Sequence, residues 1–247
     1  MTNNWDFYAV RIDNKPASIM VDLGIETDAP ITSLPYVAYI RLYLKHASPL
    51  GMSSDPEFDV LSHIENTLEE ALCDTSVGYV GRNTSDGCRD FYFYISQKET
   101  WHERVVAAFS TFSDYEYETR VREDNEWSTY FNFLLPGRLD KQRIQNRRVC
   151  EQLEKHGDAL QRPRELDHWI YFPTQFALDS FLQEVSKVGF HLRETSNHAG
   201  TTLAYGARIF RQDTPSYDNI DEVVLFVFDI ATKYEGKYDG WECAVMR

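Results

Sequence analysis

Across residues 36–122 the apolar side chains change period in a fixed order: alternating, helical, alternating, alternating, helical, alternating. The same order returns across residues 166–246. A period of two puts successive side chains on opposite faces of a strand, whereas a period near 3.6 lays one apolar stripe along a helix. Few folds accept that succession twice. In the first pass Tyr36, Ala38, Ile40, Leu42 and Leu44 alternate with Val37, Tyr39, Arg41, Tyr43 and Lys45. A helical stripe of Leu61, Ile64, Leu68, Ala71 and Leu72 follows, with Asp55 as N-cap and Pro56 at the first helical position. Residues 77–82 and 89–95 read as a hairpin around Asp86-Gly87. Thr100 and Glu103 form a capping box ahead of Trp101, Val105, Ala108, Phe109 and Phe112, and residues 115–122 close the sheet. A hairpin of residues 5–12 and 17–25, turning at Asp13-Asn14-Lys15-Pro16, precedes this unit.

An apolar stretch at 127–135 reads as helical until Pro136-Gly137 breaks it, and residues 139–156, rich in Arg and Gln, read as a connecting helix. In the second pass residues 166–172 are a strand. Thr174 then caps a helix with Leu178, Phe181, Leu182, Val185 and Val188 inward, and Gly189 ends it. Residues 190–195 and 203–211 pair as middle strands. Ser216 or Asp218 caps a helix carrying Ile220, Val223, Val224, Val227, Ala231 and Tyr234, and residues 238–246 form the last strand. The run 223–228 is rich in β-branched and aromatic residues, which favours a strand, but the longer window keeps the helical period. The expected architecture is α+β: two ferredoxin-like βαββαβ domains in tandem, at 1–137 and 157–247, the first with an added N-terminal β-hairpin, joined by a helical linker at 138–156.

Composition narrows the function. With 43% hydrophobic residues in 247 the chain can fill its cores. No window approaches the roughly 18 apolar residues of a membrane span, and no basic segment followed by an apolar one opens the chain, so a cytoplasmic location is expected. Cys73, Cys88, Cys150 and Cys243 lack C-x-x-C spacing and read as reduced structural thiols. The net charge is −14. Residues 1–137 hold 10 basic and 22 acidic side chains, 138–156 hold 6 and 3, and 157–247 hold 9 and 14. That excess repels phosphate backbones and anionic membranes and favours a partner with a basic surface.

The common nucleotide-binding, zinc-protease and serine-hydrolase signatures are absent. His102-Glu103 has no second His four residues on. His168 shares the inward parity of Ile170 and Phe172, where a hydrogen-bonded core histidine is the better reading than a general base. No catalytic residue, metal ligand or cofactor is therefore expected. The sheet face away from the first pair of helices would carry Tyr39, Arg41, Tyr43, Tyr92 and Tyr94. RNA-recognition modules stack bases on such rows, but the acidic charge favours a covered or protein-binding surface. Leu225 and Phe226, on the otherwise polar side of the last helix, make an apolar patch that calls for cover from the N-terminal domain, a partner or a second copy of the chain. Tyr238, Asp239 and Trp241 complete the candidates, with Asp239-Gly240 turning into the last strand and Trp241 packing inside.

The stretch Arg164-Glu165-Leu166-Asp167-His168-Trp169-Ile170-Tyr171-Phe172, with Val188-Gly189-Phe190 and Tyr238-Asp239-Gly240-Trp241-Glu242, resembles the bacterial family called regulator of ribonuclease E activity B. Residues 36–44, 89–95 and Trp127-Ser128-Thr129-Tyr130-Phe131-Asn132-Phe133-Leu134 are similar to the bacterial family known as domain of unknown function 695. The first resemblance implies a ferredoxin-like C-terminal half and inhibition of an RNA-degrading endonuclease by direct protein binding. An acidic inhibitor can occupy the basic surface that otherwise holds RNA. The expected function is a non-catalytic, protein-binding regulator. The alternatives are an enzyme with a site in the inter-domain cleft and a single-strand RNA binder.

Overall fold

A computed structural model describes residue 2 and residues 4–247, so Met1 and Asn3 of the N-terminal stretch lie outside the described residues. The chain forms two compact units, 1–137 and 138–247. It is an α+β protein, and among the described residues all strand pairs are antiparallel.

The first unit comprises β1 (Trp5–Ile12), β2 (Lys15–Asp22), β3 (Tyr36–Tyr43), α1 (Asp55–Leu72), β4 (Val77–Ser85), β5 (Cys88–Ile95), α2 (Trp101–Ala108) and β6 (Tyr117–Glu123). The strands make a six-stranded sheet in the order β1-β2-β4-β5-β3-β6. Two-residue turns close both hairpins: Asp13 and Asn14 sit at φ 50° and 64°, Asp86 and Gly87 at 52° and 76°. Paired positive φ values match the twist of the flanking strands, which selects Asn, Asp and Gly there. Leu61, Ile64, Leu68 and Leu72 of α1 bury their stripe against Ala38, Ile40, Leu42, Phe91 and Phe93. Ser54, rather than Asp55, is the N-cap of α1. The expected capping box of α2 does not form, because Thr100 lies at φ −94°, ψ −5°, and its hydroxyl caps nothing. That helix is held by side chains further along: Trp101 Nε1 donates to Thr119 Oγ1 (2.8 Å) and Arg104 Nη2 to the Leu72 carbonyl (2.6 Å).

The second unit comprises α3 (Arg138–Lys155), β7 (Arg164–Phe172), α4 (Gln175–Ser186), β8 (His191–Asn197), β9 (Tyr205–Asp213), α5 (Tyr217–Lys233) and β10 (Lys237–Cys243). Its sheet order is β10-β7-β9-β8. The helix expected as a linker is counted with this unit. Asn146, Cys150 and Leu153 recur at spacings of four and three along α3 and are buried, and Cys150 and Leu153 join the cluster that holds Val223, Val224 and Val227 of α5. Trp241 Nε1 also donates to Asn146 Oδ1 (3.1 Å). The Thr174 hydroxyl caps α4 by accepting from Ala177 N (3.1 Å). Residues 223–228 are helical, as the longer window required. Asp239-Gly240 makes a bulge inside β10 instead of a turn into it: the register slips between Tyr238 and Gly240, and Gly240 takes φ 143°.

In each unit the βαββαβ core has its strands in the order fourth, first, third, second. Arg164, at the start of β7, forms a buried ion pair with Asp158, whose carboxylate also accepts from Leu160 N (2.8 Å) and Met246 N (2.7 Å). The Arg164 bond holds the Asp158 carboxyl well below its ordinary range. One carboxylate thus ties the segment after α3, the first strand and the C-terminal tail.

Candidate functional site

In the first unit, the sheet face opposite α1 and α2 is shaped by residues 124–135. Trp127 takes a left-handed φ of 54°, which swings its ring flat onto Tyr94 at 3.8 Å between centroids. A non-glycine residue there is strained. Burial of the indole and its Nε1 bond to the Leu34 carbonyl (3.1 Å) offset the strain. A helical turn follows and widens into a π-turn, Tyr130–Leu134, closed by Leu135 N to the Tyr130 carbonyl (2.8 Å). Asp124 anchors the start of this segment by accepting from Ser128 N, Thr129 N, Thr129 Oγ1 and Tyr94 Oη at 2.7–2.9 Å. Burial alone would raise the Asp124 carboxyl, but the bonds from Thr129, Tyr94 and Ser128 outweigh it and hold it below its ordinary value. Asp124→Ala strands several of these donors in a water-poor site. We expect a loss of about 2 kcal/mol, read from urea unfolding; a loss below about 0.5 kcal/mol would mean that the segment is held by its aromatic packing alone.

The tyrosine row is therefore divided. Tyr94 is buried beneath Trp127, and burial together with Asp124 pushes its phenol well up. Tyr43 lies at the strand end, 42% exposed. Tyr39, Arg41 and Tyr92 line a cleft of about 520 Å³ with Val37, Asp90, Arg122, Ser128, Thr129, Asn132 and Phe133. Tyr92 lies 6.2 Å from Tyr39 and 5.6 Å from Phe133, ring to ring. Arg41 grips Asp90 with Nε and Nη2, both at 2.8 Å, and this fork holds the guanidinium in its charged form.

In the second unit α4 and α5 cover one sheet face. His168 is sealed on that side, sharing a 2.8 Å hydrogen bond between Nδ1 and Tyr238 Oη and packing edge-on against Phe190. Its Nε2 is buried with no hydrogen-bond partner among the described residues. Burial, with a smaller push from Arg211, lowers the imidazole to about 3, so it stays neutral near pH 7 and has no access to a substrate. Trp241 packs inward, and Asp239 is exposed and paired with Lys237 (3.0 Å). Phe226 is 41% exposed and Leu225 half-buried. The candidates of the second unit thus lie in separate places.

The opposite face of that sheet escaped the sequence reading. Trp169, Tyr171 and Phe210 project from it, all partly exposed. The Arg208 guanidinium lies 4.8 Å over Trp169 and the Arg193 guanidinium 4.1 Å over Phe210. Asp167 accepts from Arg193 Nε (2.6 Å) and Arg208 Nη2 (3.1 Å), and Glu165 from Arg193 Nη2 (2.6 Å). Gly206 makes room for Tyr171, since a Cβ there would come within 3.0 Å of its ring and 2.3 Å of Ser196 Oγ. The signal was present in the odd positions of β7, opposite to His168, Ile170 and Phe172. A second missed feature lies in the first unit, where buried Arg89 stands near Arg82 and Glu65. Burial, then Arg82, lowers it to about 10. Among the described residues no group of three or more His, Cys, Asp and Glu side chains is placed to hold a metal ion, and no helix is long and apolar enough to cross a membrane.

No curated protein matches the chain. Among solved structures it is similar to an unknown protein from Galdieria sulphuraria, at 10% identity and a TM-score of 0.23, covering 84% of this chain and 96% of that one. It is also similar to a protein assigned as a glycine cleavage system transcriptional repressor, at 7% identity and a TM-score of 0.25, covering 85% and 98%. Overlaps this poor carry no argument. Family models are more informative: the one described as regulator of ribonuclease activity B matches residues 143–243, most of the second unit. The other spans the whole sheet of the first unit and more than half of the sequence, residues 3–135, and by that match the chain belongs to the family of unknown function DUF695.

Proposed function

We propose that the protein is a non-catalytic regulator of ribonuclease activity that acts in the bacterial cytoplasm by binding a protein partner directly. The family match over residues 143–243 supports the regulatory class, and the partner it suggests is a ribonuclease. The strand order in both units supports the ferredoxin-like arrangement, which leaves one sheet face free of helices. The observation that carries the binding mode is that face in the second unit, where Trp169 and Phe210 are set in a lattice of Arg193, Arg208, Asp167 and Glu165, with Tyr171 on the same face against His198. Large rings held in place by guanidinium groups lose little freedom on binding, and tryptophan and arginine are the residues that dominate protein interfaces.

Charge divides between the units. Residues 1–137 carry the excess of 22 acidic over 10 basic side chains, while 138–247 carry 17 and 15. In this reading the first unit attracts a basic partner at long range and the second supplies the close contacts. The test is a cleavage assay with the purified endoribonuclease that degrades bulk RNA in the source cell. Added full-length protein should slow cleavage and co-elute with the enzyme after nuclease treatment. Trp169→Ala should weaken the complex about tenfold or more without shifting the melting temperature. Binding should also fall steeply with salt, because charges are screened over about 10 Å at 0.1 M. Unchanged cleavage with no complex would refute the proposal, and a complex that requires RNA would move the reading to nucleic-acid binding.

A further inference from the structure

The cleft on the first unit carries chemistry that protein binding by the second unit does not use. Its volume, about 520 Å³, falls within the range of small-molecule sites. Tyr39, Tyr92 and Phe133 present three rings to it, the outer two flanking Tyr92 at 6.2 Å and 5.6 Å. Its charges nearly cancel. Arg41 is matched by the buried Asp90 through two bonds of 2.8 Å, and the nearby Asp124 carboxylate is turned to Thr129, Ser128 and Tyr94. Arg122 is the remainder: its Nη2 donates to Thr129 Oγ1, and among the described residues no carboxylate lies within 4.0 Å of its guanidinium. In a unit with 22 acidic and 10 basic side chains, an uncompensated guanidinium beside three rings is a local feature running against the surrounding field. A guanidinium pairs best with a planar or tetrahedral anion, and the rings with a flat apolar surface.

The geometry points to a binding site for a small molecule that joins a planar aromatic ring to a single anionic group. The ring packs against Tyr39, Tyr92 and Phe133, the anion pairs with Arg122, and Asn132 and Ser128 offer polar contacts at the rim. Nucleoside monophosphates and aromatic carboxylates share this chemistry. Calorimetric titration of the full-length protein with adenosine monophosphate, 4-hydroxybenzoate, adenosine and inorganic phosphate distinguishes the sources. One of the two ring-bearing anions should bind saturably, at least about tenfold more tightly than adenosine or phosphate. Arg122→Gln should remove that advantage, whereas Arg11→Gln, an exposed arginine of β1 that lines no part of the cleft, should leave binding unchanged. Phe133→Ala should weaken the ring-bearing ligands and leave phosphate unaffected. Absence of saturable binding by either anion, or binding that survives Arg122→Gln, overturns the site. So does a single-stranded RNA oligonucleotide bound more tightly than the mononucleotide through Arg122, since the cleft would then belong to a strand-binding groove.

Discussion

Replacing Asp158 with alanine is expected to destabilise the second unit by about 3–5 kcal/mol, because it leaves a buried guanidinium without its counter-charge. The two side chains are only 1% and 2% exposed, so water cannot substitute for the lost partner. Arg164 keeps its bonds to the Ala244 carbonyl (2.8 Å) and the Arg162 carbonyl (3.2 Å), which satisfy two donors but no charge. The amides of Leu160 and Met246 lose their acceptor as well. Urea unfolding of the full chain measures the loss. Asp158→Asn should recover part of it, since an amide oxygen still accepts from the two backbone groups. Replacing Asp158 and Arg164 together by apolar residues should cost less than Asp158→Ala alone. A single-variant loss under about 1 kcal/mol would show that water or another acceptor reaches Arg164 once the carboxylate is gone.

The second large effect is a dependence of stability on pH set by His168. Its folded pKa of about 3 lies below the ordinary value of 6.5. The unfolded chain therefore takes up a proton, as pH falls below 6.5, that the folded chain refuses. Stability is fully present above 6.5 and is lost as pH falls toward 3, with a slope approaching about 1.4 kcal/mol per pH unit. The Asp158 carboxyl, also held low, acts in the same direction but only around and below the ordinary aspartate value of 3.8. Between pH 6 and 4.5 the slope thus reports mainly on the histidine. Denaturant midpoints across that window should fall in the wild type and flatten in His168→Gln, whose amide does not titrate. An equal slope in both would place the responsible proton elsewhere.

His168 also shows what was legible in the chain. Strand parity alone put it inward with Ile170 and Phe172, and that is a property of the local sequence. Helical period over a long window likewise outweighed strand propensity at Val223, Val224 and Val227, because burial of one helix face is worth more than local preference. Short-range signals did less well. Thr100 and Glu103 have the spacing of a capping box, yet the backbone at Thr100 never leaves the helical region. The two sheet faces were legible only in part, for different reasons. Trp169 and Tyr171 could be assigned to the free face, but Arg193 joins them only through a bulge in β8 that shifts the register between Leu192 and Glu194. The cleft depends on Trp127 at positive φ, which no propensity favours, and on a π-turn that carries no sequence signature.

That turn has an evolutionary consequence. A π-turn holds one more residue than the α-helical turn it replaces, so it is a place where a single-residue insertion or deletion is absorbed without moving the anchors on either side. Removing one residue between Tyr130 and Leu134 would restore α-helical pitch and turn the side chains carried within the turn by up to about 100°. Trp127 and Asp124, lying before the turn, would keep their places on the sheet. Phe133 and Asn132 would be re-aimed. Changes in length, more than changes in residue type, are thus a direct route by which this lineage can open or close the mouth of the cleft while its β-sheet is preserved.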